Sequence, residues 1–327
     1  MAWSWNHQVT GAGSAAHTIG RALEFFLIDF AKFFGGDEYT AQWMFYTLIY
    51  GFVAVGAAYA AGAIVRHPVA IVAAGTSAVL SGFFLTRLPN PLNIISVGTV
   101  ALFTGLALRI AKGKRISPVV GGIAFLPMSF LAFNPPMIVV AGMWAVAGTV
   151  VLSLLIVGRS GAWRLIKYLV LAAPWVILLN LWWLLPFAQA YTGGGGAESN
   201  ATFTDPTNWS WAQANNSIPN VLTMVANWAW FRPQYLPFAA SLDEPHWIWM
   251  RYLGPMLVLL APVLALRSRR RASLVLVACV GIVVFLAKGL LPPFSAVNMW
   301  MYLNVPMFWL FREPMSKLGQ TLVVFFA

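Results

Sequence analysis

Residues 91–110 read PLNIISVGTVALFTGLALRI, and AKGKR follows at 111–115. At 1.5 Å per residue such a run makes about 30 Å of helix, the thickness of a bilayer's hydrocarbon layer. It holds no acid, and its one base, Arg109, stands beside its end. The charge-poor, Pro-rich turn Arg87-Leu88-Pro89-Asn90-Pro91 precedes it, and Lys112, Lys114 and Arg115 follow. Lysine and arginine resist translocation, so the second boundary is expected in the cytoplasm and the first outside it.

The same pattern repeats outward from this run. Apolar stretches occur at about 41–65, 68–86, 91–110, 116–133, 137–157, 165–188, 248–266 and 272–291. Arg66, the Lys112/Lys114/Arg115 cluster, Arg159/Arg164/Lys167 and Arg267/Arg269/Arg270/Arg271 close alternate hairpins. The turn at 87–91 and Asn134-Pro135-Pro136 close opposite ones. The expected fold is all-α: a polytopic helical membrane protein with about eight or nine transmembrane helices. A β-barrel would show short alternating segments instead. Composition agrees. Only 9% of the 327 residues are charged and 60% are hydrophobic, where a soluble domain carries about 25% charged residues.

This pattern divides the chain into an external segment (1–40), six spans (41–188), an external loop (189–247), two spans (248–291), a second external loop (292–319) and the start of a truncated helix (320–327). Within the first segment, residues 15–35 read as an amphipathic helix lying in the interface plane. Ile19, Leu23, Phe26, Leu27, Phe30, Phe33 and Phe34 recur at helical spacing among Arg21, Glu24, Asp29 and Lys32. Met1-Ala2-Trp3-Ser4-Trp5-Asn6 has neither the basic nor the apolar region of a signal peptide. Since alternation puts 1–40 outside, a fragment lacking at least one upstream helix is expected.

The net charge is +11. Twelve of the 20 Lys and Arg fall on the cytoplasmic side of this topology and eight outside. All nine acids, Glu24, Asp29, Asp37, Glu38, Glu198, Asp205, Asp243, Glu244 and Glu313, fall outside. The basic excess is therefore a topology signal that also attracts anionic lipid headgroups. No basic stripe with interleaved aromatics argues for nucleic acid. The lone Cys279 excludes an intrachain disulfide and a cysteine metal cluster. No charge sits deep in an expected span, which argues against a proton relay or voltage sensor. Phosphate-binding glycine loops, zinc helix motifs and Ser/His/Asp nucleophile signatures are absent from the sequence.

Carboxylate chemistry, if the protein has any, is thus expected outside the cytoplasm. Arg312-Glu313-Pro314-Met315-Ser316-Lys317 is the sharpest motif. Arg312 offers a planar fork for phosphate oxygens and Lys317 a point charge. Pro314 stiffens the turn, and Glu313 is placed to orient Arg312. The same residues would also suit an interfacial cluster of snorkelling side chains. Asp37-Glu38 follows Gly35-Gly36 at the mouth of the first span. Adjacent acids serve as a general base or hold a divalent cation, and the sequence points to no cofactor with certainty. They also favour a helix N-terminus electrostatically. Arg232 is a further anion-binding candidate. Trp209 and Trp211, with Trp228, Trp230, Tyr235 and Trp247, supply flat faces for stacking on sugar rings, or an interfacial belt.

Two of these segments carry a resemblance. Leu179-Asn180-Leu181-Trp182-Trp183-Leu184-Leu185-Pro186-Phe187 ends a span and opens the large external loop. Phe311-Arg312-Glu313-Pro314, with Lys317 three residues on, stands just before another apolar run. Together they resemble the N-terminal membrane module of the alpha-(1→3)-arabinofuranosyltransferase family, membrane glycosyltransferases of the C type (GT-C). Trp3-x-Trp5-Asn6 and the stretch from Gly35 to Gln42 are similar to the end of that fold's first external loop. The resemblance implies transfer of a sugar, arabinofuranose in that family, from a polyprenyl-phosphate donor to a cell-envelope glycan outside the plasma (inner) membrane. It also implies a catalytic acid early in the first external loop. That part of the fold maps upstream of Met1, so Asp37 and Glu38 stand in by proximity alone. The phosphate-contacting role maps to Arg312 and Lys317. The alternative expectation is a transporter or flippase for a lipid-linked envelope glycan. Transporters often show internal repeats and broken midplane helices, and the sequence shows no convincing repeat.

Overall fold

The structure is a computed structural model that describes residues 22–87, 92–131, 135–192, 213–226, 244–245, 248–264, 270–306, 308–311 and 313–327. Among these residues every regular element is helical. In chain order they are α1 (Ala22–Phe33), α2 (Glu38–Ala61), α3 (Pro68–Val79), α4 (Gly82–Arg87), α5 (Leu92–Ala111), α6 (Pro118–Phe125), α7 (Pro135–Met143), α8 (Thr149–Ile156), α9 (Arg159–Thr192), α10 (Ile218–Leu222), α11 (Ile248–Leu264), α12 (Arg270–Ala287), α13 (Ser295–Asn304) and α14 (Pro314–Phe326).

Six helical stretches are long and apolar enough to cross a membrane: Glu38–Ala61, Pro68–Arg87, Asn93–Ala111, Met137–Ile156, Arg159–Leu185 and Arg270–Ala287. This is a helical membrane protein. The other two expected spans are shorter in helical form, Pro118–Leu131 and Arg251–Leu264. Proline explains much of this. At Pro127 the chain leaves α6 for a 3₁₀ segment, Leu126–Leu131, because proline withholds an N–H and crowds the preceding turn. Pro255 and Pro262 lie inside α11. The stretch Met137–Ile156 contains one π-helical turn, Trp144–Gly148. That turn accompanies a Trp144 whose indole N–H donates to Thr104 Oγ1 at 2.9 Å.

α5 is the axis of the bundle and is buried along nearly its whole length. It packs against α2, α6, α7, α8, α9 and α14. Ser96, Thr99 and Thr104 lie in its buried surface, and each hydroxyl donates to a carbonyl of the preceding turn at 2.6–2.9 Å. None of these three hydroxyls is thereby left facing an apolar neighbour without a bond. α2 meets α5 at very short range. A Cβ on Gly56 would sit 2.8 Å from the Gly98 carbonyl, and one on Gly98 would sit 2.5 Å from the Phe52 ring. Small residues at such positions let membrane helices approach backbone to backbone.

Several of the helix ends that carry basic residues come together. At one end Ala63, Leu108 and Leu152 form a small cluster with Ile64, Ile156 and Val275. Arg66, Lys112, Arg159 and Arg270 lie near these residues in the chain, so this is the basic end. Here cations bind the carbonyls that helix C-termini leave unpaired. Arg109 Nη1 donates to Tyr59 O at 2.6 Å, Lys112 Nζ to Ala63 O, and Arg164 Nη2 to Ala111 O at 2.6 Å.

α1 packs on α2 with an arrangement opposite to a simple solvent-facing polar face. Glu24, Leu27 and Ala31 are buried, whereas Phe25, Phe26, Phe30, Phe33 and Phe34 are exposed. The Phe30 and Phe34 rings pack at a tilt with centres 4.8 Å apart. This phenylalanine ladder is what an interfacial helix presents to lipid. Residues 15–21 of the expected amphipathic helix lie outside the described residues.

The α2–α5 contact makes a prediction. Gly56→Leu must displace a backbone carbonyl, at a cost of about 1–3 kcal/mol. In detergent it should lower the thermal unfolding midpoint clearly. Gly142→Leu, where an added Cβ meets nothing within 4 Å, should leave the midpoint near that of the parent.

Candidate functional site

The end opposite the basic cluster collects charge of both signs, and its centre is the N-terminus of α14. Pro314 occupies the first turn of this helix, where its missing N–H costs nothing and its fixed φ suits the helix. The helix therefore begins at Pro314 rather than at the expected 320, and it is buried from Pro314 to Phe325. It runs between α5 and α12 and also touches α3, α4, α7 and α11. Lys317 is consequently inside the protein, 3% exposed.

Lys317 shares its surroundings with a residue that the sequence motif did not include. Arg87, the last residue of α4, is also buried, 7% exposed. Its Nη2 donates to Ser316 Oγ at 2.6 Å. Ser316 in turn donates to Glu313 Oε2 at 3.1 Å, and Lys317 Nζ bonds the same oxygen at 3.3 Å. The Arg87 guanidinium carbon lies 5.4 Å from the centre of the Phe83 ring. Arg87 Nε has no hydrogen-bond partner among the described residues. Among the described residues two buried cations thus gather around one carboxylate, at the positive end of a helix dipole. Each of these features favours an anion. Next along α14, Gln320 donates to Lys317 O at 2.7 Å. Its buried Oε1 has no partner among the described residues.

Glycine makes this approach of α4 to α14 possible. A Cβ on Gly319 would collide with the Phe83 ring. On the other side of α4, a Cβ on Gly82 would sit 2.5 Å from Thr223 O. The 213–226 segment is therefore clamped onto the site. A buried amide network holds it there. Gln213 Oε1 accepts from Leu290 N at 2.7 Å, and Asn216 Nδ2 donates to Ala287 O at 2.8 Å. Asn298 Nδ2 donates to Gly289 O at 2.7 Å. Tyr302 donates to Phe311 O at 2.6 Å, fixing the backbone two residues before Glu313. Burial pushes the Tyr302 phenol above its ordinary range, which keeps it protonated as the donor in this bond.

A groove of about 800 Å³ runs along the same half of α2. Tyr39, Gln42, Trp43, Tyr46, Thr47 and Tyr50 form most of its wall. Their spacing of three and four residues places them on one helix face. Tyr50 packs on Phe84 with ring centres 4.5 Å apart. Phe84 and Arg87 are one helical turn apart on α4, which places the aromatic groove beside the cation cluster.

Among the expected site residues, Glu313 and Lys317 are brought together. Arg312, Arg232, Trp209 and Trp211 lie outside the described residues. Asp37 and Glu38 are at the same end of α2 as the groove, and both are exposed. Asp37 is the N-cap of α2: Thr40 N and Thr40 Oγ1 both donate to its Oδ1 at 2.8 Å. Glu38 pairs with Lys32 at 3.4 Å. Among the described residues no three His, Cys, Asp or Glu side chains gather around Asp37 and Glu38 or elsewhere. The Asn180-to-Trp183 part of the first family-like segment packs helices together. Asn180 donates to Gly122 O at 3.2 Å and accepts from Trp183 Nε1 at 2.9 Å, and both side chains are fully buried.

The bonds from the Thr40 amide and then its hydroxyl hold the Asp37 carboxyl below its usual range. A lowered carboxyl stabilises the fold above its unfolded pKa and loses that effect as pH falls through the lowered value. The protection factor of the Thr40 amide, its exchange rate relative to an unstructured amide at the same pH, should therefore stay high at neutral pH and fall only on strong acidification. In Asp37→Ala it should be low at both. Equal protection in parent and variant at neutral pH would mean the cap contributes nothing.

No protein family, no curated protein and no solved structure matches this chain.

Proposed function

We propose that this chain is the membrane module of a glycosyltransferase that works outside the cytoplasm. In this reading it transfers a sugar, arabinofuranose by the resemblance, from a polyprenyl-phosphate donor to a cell-envelope glycan. The observation that carries the proposal is the buried pair Arg87 and Lys317 around Glu313 at the N-terminus of α14. Among the described residues two buried cations share this one carboxylate, and buried positive charge attracts an anion. The donor's phosphate is such an anion, and the aromatic groove beside it suits an isoprenoid tail.

The chemistry fits the charge. An acceptor hydroxyl attacks the anomeric carbon, the bond from that carbon to the phosphate oxygen breaks, and a carboxylate takes the hydroxyl proton. The donor is a phosphodiester with one negative charge, and the departing polyprenyl phosphate carries up to two. Cations aimed at that phosphate bind it more tightly as the bond breaks, and this lowers the barrier. Arg87 and Lys317 take that role, joined by Arg312 on the strength of the resemblance. Asp37 and Glu38 stand as candidates for the base.

Membranes carrying the protein should transfer radiolabelled sugar from polyprenyl phosphate to glycan. Arg87→Ala and Lys317→Ala should each lower the rate by about 100-fold or more. Arg87→Lys should recover part of it, since a charge remains but the fork is lost. Arg270→Ala, at the basic end, should leave it unchanged. If no donor supports transfer while lipid-linked glycan still crosses the bilayer, the protein is a flippase instead.

A further inference from the structure

The basic end holds a second pocket that plays no part in the proposed transfer. Its volume is about 590 Å³, and it opens between the turn after α5 and the first turns of α9. Lys114, Arg115, Arg164 and Lys167 line it together with Ser117 and Tyr168, and no carboxylate is among its lining residues. Much of the pocket is built in advance. Gly113 turns the chain with φ +91°, a left-handed conformation that favours glycine. Arg164 is fixed by two bonds to Ala111 O, at 3.0 Å from Nε and 2.6 Å from Nη2. Tyr168 donates to Ser117 O at 3.0 Å. Lys167 lies over the Trp163 ring at 5.7 Å.

Adjoining it is an apolar groove of about 400 Å³. The two share Ile110 and Tyr168. From there the groove follows α5 back to Phe103 and α9 forward to Ile177, with Leu106, Phe125 and Leu169 in its walls. At 1.5 Å per residue it reaches about 10–13 Å into the bundle.

We propose that this compound site binds one anionic phospholipid, with the phosphate among Lys114, Arg115, Arg164 and Lys167 and an acyl chain in the groove. Charge and shape select this occupant together. Four cations without a carboxylate demand an anion. A zwitterionic headgroup brings its own ammonium into the same crowd and is disfavoured. A soluble phosphate ester would fill only the polar half. A basic pocket between membrane helices that opens directly onto hydrocarbon is what headgroup recognition requires.

The test uses the purified chain in phosphatidylcholine nanodiscs doped with phosphatidylglycerol of the same chain length. Lipids retained on release into detergent are counted by native mass spectrometry. One phosphatidylglycerol per chain should be retained, with at least a tenfold preference over phosphatidylcholine. The triple variant Lys114→Ala, Arg115→Ala, Lys167→Ala should lose that preference. Arg270→Ala with Arg271→Ala removes charge at the same end but outside the pocket, and should keep it. Ala173→Phe fills the groove without touching a charge, and should weaken retention about tenfold while the protein's melting temperature holds. Equal retention of the two lipids overturns the proposal. So does equal loss in the Arg270/Arg271 variant, which would mean diffuse surface charge. Competition by glycerol phosphate as strong as that by the whole lipid would reduce the site to a phosphate pocket and likewise overturn it.

Discussion

Gly56 and Gly98 bring α2 and α5 together at backbone distance, and the rest of the bundle is arranged around that contact. Hydrocarbon outside the protein gives little reason for one apolar helix to leave lipid for another. Close packing, and polar groups that must be satisfied internally, do the work instead. α5 answers both demands. Its glycines admit α2, and its hydroxyls bond to its own carbonyls. Thr104 also receives the Trp144 indole and so ties in the neighbouring span. A helix surrounded in this way can carry α14 along its flank.

The two ends of the bundle treat positive charge in different ways. At the basic end Arg109 and Lys112 donate to backbone carbonyls at helix C-termini, and Arg164 does so while also lining the adjacent pocket. There the cations complete the scaffold, and a pocket of further cations remains open beside them. At the opposite end Arg87 and Lys317 are buried around one carboxylate, with Phe83, Gly319 and Gly82 holding α4 tightly in place. Cations that cap helices stabilise the fold by themselves. Cations enclosed in the protein are stable only where hydrogen bonds and a counter-charge offset their lost hydration.

Legibility followed the same division. The apolar runs and the alternation of basic clusters were readable because hydrocarbon thickness and translocation act on local composition. Six of those runs fold as helices of spanning length. The runs at 116–133 and 248–266 are also helical but shorter, and Pro127, Pro255 and Pro262 were visible signs of interruption. Glu313 and Lys317 were legible as a motif. The stripe Tyr39, Trp43, Tyr46, Tyr50 could have been found from its helical spacing, although interfacial aromatics elsewhere in the sequence mask it. Arg87 looked like an ordinary residue of an external turn.

Arg87 and Lys317 are 230 positions apart in the chain, and no local pattern links them. The sequence by itself determined that this is a helical membrane protein and where its long apolar helices run. These follow from the solvent, which sorts each segment independently. Only the tertiary structure decided that α14 is buried, that Arg87 meets Ser316 beside Glu313, and that a basic pocket at the other end adjoins an apolar groove. Each of those depends on contacts between segments far apart in the chain, where a glycine, a ring and a guanidinium must fit the same space.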